Sequence, residues 1–165
     1  MRAIADVHAN PVLIEPVQPG DEEAIAELWR VCGAAPYGVS RPRVCLVARE
    51  SATGRVVGAA EYYRGFPPED AYAWVGVHPN ARRAGLGSSL LRELARIALG
   101  DGIRNMGLFV EADDQRLWHM LDRAGIPLRA HAIEDGHYVE LDLVALMKAA
   151  ADEADRRVAE PVIRR

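Results

Sequence analysis

The sequence predicts one α/β (α+β) domain of about seven strands, several of them joined in hairpins, with helices between them. Three observations carry this expectation. Apolar segments of alternating and of helical period succeed one another, and turn residues join neighbouring strands into hairpins. At 165 residues, half of them hydrophobic, the chain suits a single core.

Val12 to Val17 can form a first strand, after a tail over residues 1–11. Gly20-Asp21-Glu22-Glu23 opens a helix through Ile25, Leu28, Trp29 and Cys32, with Asp21 as its cap. Gly33 to Pro42 reads as a loop and Val44 to Arg49 as a strand. Ser51-Ala52-Thr53-Gly54 then turns the chain into a strand over Val56 to Tyr63. Gly65 to Asp70, with Pro67-Pro68, separates this from an apolar strand at Tyr72 to Val77. His78-Pro79-Asn80 ends that strand, because proline cannot continue a ladder.

A helix then begins near Ser88, with Leu90, Leu91, Leu94, Ile97 and Ala98 on one face. There follow a strand at Arg104 to Val110, a helix from about Asp113 to Ala124, and strands at Leu128 to Ile133 and Tyr138 to Leu143. Asp135-Gly136 supplies the last hairpin. Residues 144–165 read as an alanine-rich helix to about Val158 and an arginine end. Its stripe of Leu146, Met147, Ala150, Ala154 and Val158 suits packing on the domain or on a second copy as a homodimer.

A net charge of −4 gives no general attraction to nucleic acid or to anionic membranes. Of the 20 basic residues only Lys148 is lysine, so an arginine signifies by its position alone. Asp6, His8 and Asn10 interrupt the N-terminal segment, which does not read as a signal peptide, and no stretch approaches a membrane span. Cys32 and Cys45 lie in apolar surroundings, which points to a reduced, cytoplasmic interior. No spacing around the five histidines suggests a metal site; His78 alone sits at a functional turn.

The segment from Tyr72 to Leu91 carries the chemistry. A helix start presents free N–H groups and the positive end of its dipole, and Gly85 and Gly87 would let a pyrophosphate approach without striking a Cβ. No lysine follows Gly87, as a Walker loop requires, and Leu90 stands where a dinucleotide fingerprint needs a third glycine or alanine.

Arg82-Arg83-Ala84-Gly85-Leu86-Gly87, introduced by Val75-Gly76-Val77-His78-Pro79, resembles the acetyl-CoA motif of the GCN5-related N-acetyltransferases (GNAT), Gln/Arg-x-x-Gly-x-Gly/Ala. The order of elements over residues 12–143 is similar to that fold as well. The resemblance implies a mixed, largely antiparallel central sheet flanked by helices and splayed between its fourth and fifth strands, acetyl-CoA as co-substrate without a metal, and a primary amine of a small molecule, peptide or protein as acceptor. It implies that Val75, Val77, Arg82, Arg83, Ala84, Gly85, Leu86, Gly87, Ser88 and Asp114 hold the cofactor, and that the Val77 N–H steadies the oxyanion. Gly54 to Ala60 and Asp135 to Leu143 also resemble bacterial protein-lysine acetyltransferase domains, which tilts the acceptor towards protein lysine.

Many relatives carry an acidic residue near the start of the motif strand, where this chain has Tyr72. Glu69, Asp70 and Glu61 are the nearby carboxylates that could serve as base, with Glu111 a further one. Leu121 stands where relatives carry a tyrosine that protonates the thiolate, and Asp114 where they carry an asparagine. Tyr62, Tyr63, Tyr72 and Tyr138 remain open as replacements for that acid. These departures support an alternative reading, an acyl-CoA-binding sensor or interaction module without efficient transfer.

Overall fold

Seven strands form one sheet in the order β1-β2-β3-β4-β5-β7-β6. They are β1 (Val12–Pro16), β2 (Arg43–Glu50), β3 (Val56–Arg64), β4 (Asp70–Val77), β5 (Asn105–Glu111), β6 (Leu128–Ile133) and β7 (Gly136–Asp142). The helices are α1 (Glu22–Cys32), α2 (Leu86–Gly100), α3 (Gln115–Ala124) and α4 (Leu143–Ala159). The computed structural model describes residues 11–33, 43–82 and 85–159. The tail before Pro11, the loop over 34–42, the Arg83-Ala84 pair of the glycine motif and the arginine end lie outside the described residues.

Every neighbouring pair is antiparallel except β4 and β5, which run parallel. That parallel ladder is short. It joins Asp70 to Asn105, Ala71 to Met106 and Tyr72 to Gly107, and stops there. Both strands continue, each still paired to its outer neighbour: β4 with β3 as far as Val77, and β5 with β7 as far as Glu111. The sheet therefore forks, with its closed end at Asp70 and its open end at Val77, as the resemblance implies.

Strand alternation sends side chains to two covers. On one face α1 sets Ile25, Leu28 and Trp29 against Cys45, Val47, Val56 and Ala59. The spacing of those three helical residues is one turn of helix, and Gly33, at φ 69°, ends the run. On the other face α2 buries Leu90, Leu91, Leu94, Ala95 and Ala98 against Val57, Ala60, Ala73, Leu108 and Val110, joined by Leu121 of α3 and Leu143 of α4. Each buried leucine contributes roughly 1.5–3 kcal/mol of transfer free energy, so this face supplies most of the core.

Asp21 occupies the cap position of α1, but its side chain bonds no helical N–H. Its carboxylate accepts from the Gln18 N–H at 2.9 Å and from Arg49 at 2.8 Å, and Arg49 also holds Glu15 at 2.7 Å. These bonds tie β1, α1 and β2 together and hold the Asp21 carboxyl below its ordinary range. Gly76 serves packing, since a Cβ there would stand 2.7 Å from the Trp29 ring. Of the C-terminal helix, Leu143 is fully buried while Met147 is half exposed.

Candidate active site

The backbone of β4 decides what the fork offers. Gly65 donates to the Asp70 carbonyl at 2.7 Å and His78 to the Val57 carbonyl at 2.8 Å. In an antiparallel ladder such pairs alternate, so Tyr72, Trp74 and Gly76 bond β3 while Ala73, Val75 and Val77 turn their N–H and C=O groups the other way. Beyond Tyr72 that way is the opening. The Val77 carbonyl accepts from Arg82 Nε at 3.0 Å, which folds the arginine back over the strand end.

The turn after β4 is a 3₁₀ segment, Pro79–Ala81, capped by His78, whose Nδ1 accepts from the Asn80 N–H at 3.2 Å. Then Gly85 takes the left-handed conformation, φ 72°, and α2 starts at Leu86, two residues earlier than the sequence pattern suggests. The first helical bond is Ser89 N–H to the Gly85 carbonyl at 3.1 Å. The N–H groups of Leu86, Gly87 and Ser88 have no partner within the helix, as at any helix start, an arrangement that suits an anion.

The two glycines differ from the expectation of a shared pyrophosphate clearance. Gly85 is required by its positive φ, and a Cβ there would meet Arg123 Nη2 at 3.2 Å. Gly87 faces α3, where a Cβ would come within 2.9 Å of Met120 Sδ. The Ser88 hydroxyl is likewise turned to α3, donating to the Met120 carbonyl at 3.0 Å, so that side chain locks two helices and leaves only its N–H for a ligand. Asp114 caps α3, accepting from the Leu117 N–H at 3.0 Å. Arg123, in the last turn of α3, is a second guanidinium beside the loop, and nothing in its sequence context distinguishes it from other helical arginines.

The catalytic candidates separate. Glu69 is exposed at the closed end, where its backbone carbonyl receives the Arg104 N–H at 2.7 Å. Asp70 opens β4 and accepts from Asn105 Nδ2 at 3.0 Å. Tyr72 stands at the last rung before the fork. Glu61 is buried, 1% exposed, opposite Trp74 on the strand beside the opening. Glu111 ends β5 on the far prong.

The tyrosines separate too. Tyr62 is buried on the α2 face, and its hydroxyl bonds the Asp101 carboxylate beyond the far end of α2, about 22 Å of helix from the glycine loop. Burial and that bond push its ionisation up. Tyr138 reaches from β7 across β5 to the fork: a Cβ on Gly107 would be 2.0 Å from its hydroxyl, and its ring lies 6.5 Å from that of Tyr72. Burial first, then Tyr72, Glu140 and Asp70, push its ionisation up, so it stays a hydrogen-bond donor at neutral pH. Leu121, at the family tyrosine position, is buried in the core.

Among the described residues, no group of three or more His, Cys, Asp and Glu side chains could hold a metal ion. No described helix is long and apolar enough to cross a membrane.

A search of curated proteins finds no match. Solved structures are similar in fold. The GNAT domain of PAT from S. lividans is 20% identical, over 78% of this chain and 89% of that one, with a TM-score of 0.63. YncA, a putative acetyltransferase from Salmonella typhimurium with its cofactor acetyl-CoA, is 21% identical over 81% and 94%, with a TM-score of 0.64. The diaminobutyrate acetyltransferase EctA from Paenibacillus lautus, in complex with L-2,4-diaminobutyric acid and coenzyme A, is 18% identical over 81% and 96%, with a TM-score of 0.64. Residues 11–126 match the Acetyltransferase (GNAT) family, and with the forked sheet and the glycine-led helix the chain belongs to that family of acetyl-CoA-dependent N-acetyltransferases.

Proposed function

We propose that this chain moves an acetyl group from acetyl-CoA to a primary amine of a small molecule, peptide or protein, the amine attacking the thioester directly. One observation carries the reading: the sheet opens between β4 and β5 beside the N-terminus of α2, bringing the free N–H groups of a helix start to the same end as strand N–H groups that no ladder uses. These residues fit a phosphorylated thioester. The Leu86, Gly87 and Ser88 N–H groups, with Arg82 and Arg123, would hold its phosphates, and Arg83 and Ala84 complete the motif in sequence. Bound acetyl-CoA supplies an acyl group activated for transfer to nitrogen.

The Val77 N–H, and the Val75 N–H beside it, would donate to the carbonyl oxygen as it gains charge. A primary ammonium ionises near pH 10.4, so holding it neutral at pH 7.4 costs about 4 kcal/mol. Glu61, opposite Trp74 on the strand beside the opening, is the carboxylate that would relieve that cost; Asp70 lies at the closed end of the fork and Glu69 outside it. Tyr138 offers the donor that Leu121 lacks. The absence of a disulfide between Cys32 and Cys45 and the likeness to bacterial domains support a bacterial cytoplasmic setting.

A non-catalytic acyl-CoA-binding module is favoured by one observation, the buried Leu121 at the family tyrosine position. Calorimetry with acetyl-CoA and thiol release across an amine panel separate the readings. Amine-dependent thiol release is expected; binding without release on any amine would leave the module, and no binding would sink both.

A further inference from the structure

On the face of the sheet that α1 covers at one end, register aligns two rows of side chains across the fork. The first runs Tyr63, Tyr72, Gly107, Glu140, Arg129. The second has Glu61 and Trp74 on one prong and Phe109, Tyr138 and His131 on the other. Their rings form a continuous band. Tyr63 stacks on Trp74 at 5.1 Å and meets Tyr72 at 5.7 Å, and Tyr72 meets Tyr138 at 6.5 Å.

Gly107 makes the band continuous, because without a side chain there Tyr138 lies down across β5 towards Tyr72. Within the band Tyr72 is 38% and Phe109 50% exposed. Carboxylates flank it: Asp70 below Tyr72, and Glu140 beside Gly107, paired at 3.3 Å with Arg129.

Ring faces and carboxylates together attract a cation carried on an aliphatic chain. The nitrogen that reacts must be neutral when it attacks, so attraction for a charge on that nitrogen would be lost in the transition state. Attraction for a charge that persists is kept. Resting on the acetyl-transfer reading, we propose that this aromatic shelf binds the acceptor and selects an aliphatic diamine or polyamine. One amine sits at the fork, and the second stays protonated between the rings and the carboxylates of Asp70 and Glu140.

The test uses the full chain saturated with coenzyme A, which cannot transfer, titrated in a calorimeter with a four-carbon diamine and with butylamine at neutral pH. The diamine should bind about tenfold more tightly. Tyr72→Leu and Asp70→Asn, checked by circular dichroism for retained fold, should each reduce that preference to about threefold or less, while Tyr72→Phe keeps it. Equal affinities, no binding of either amine, or a preference that survives both substitutions overturns the proposal. Thiol release with acetyl-CoA is read separately. Transfer without diamine preference defeats this inference alone, and diamine preference without transfer defeats only the catalytic reading.

Discussion

The Tyr138 hydroxyl lies directly over Gly107, so close that a methyl group on residue 107 would come within 2.0 Å of it. Gly107→Ala should therefore destabilise the fold by about 1–3 kcal/mol, the usual range for overpacking. Tyr138→Ala in the same chain should restore much of that loss. Urea midpoints of the two single variants and the double variant measure the coupling; additive effects would mean that the two residues do not touch.

Gly85 and Gly87 should respond differently to the same substitution. Gly85→Ala places a side chain at φ 72° and should cost about 1–2 kcal/mol that no second mutation recovers. Gly87→Ala meets a flexible methionine, so its cost should be about 1 kcal/mol and should vanish when Met120 is also alanine. Thermal unfolding of the four proteins distinguishes backbone strain from crowding.

Arg123 is exposed beside the glycine loop, and its charge should help to hold a phosphorylated ligand. Arg123→Ala should weaken coenzyme A binding roughly two- to fivefold at low salt, corresponding to about 0.5–1 kcal/mol for an exposed pair. The deficit should shrink as salt rises. Calorimetry at two ionic strengths checks both statements, and an unchanged affinity would remove Arg123 from the site.

The Asp21 carboxyl is held below the ordinary carboxylate range, first by the Gln18 N–H and then by Arg49. A depressed carboxylate contributes stability that is present above its unfolded value and lost as pH falls through its folded value. Stability from this cluster should thus be constant near neutrality and decline below about pH 4. Asp21→Asn should cost about 1–3 kcal/mol at pH 7 and much less at pH 3, read from urea midpoints at the two values.

Tyr62→Phe should lower stability by about 1 kcal/mol through loss of the bond to Asp101 and leave thiol release unchanged. A fall in turnover without a fall in stability would contradict its place at the far end of α2.

The element order was legible in the sequence because period and punctuation are local. Alternation marked the strands, leucine spacing marked α2, and Gly54 and Asp135-Gly136 marked the hairpins. The glycine motif was legible for the same reason, since a strand, a turn and a helix start are contiguous in the chain. Individual roles were less so. Asp21 stood where a cap is expected, but Gln18 and Arg49 compete successfully for its oxygens.

The sequence by itself determined the family and singled out the strand, turn and helix start proposed to hold the cofactor. Tertiary structure alone decided that Gly87 yields to Met120, that Gly76 yields to Trp29, and that Arg123 comes to Gly85. It also decided that Tyr138, far from Tyr72 in the chain, meets it at the fork. The physical reason is register: a contact across strands or between helices depends on which residues a ladder or a packing face sets opposite each other, and no single segment carries that information.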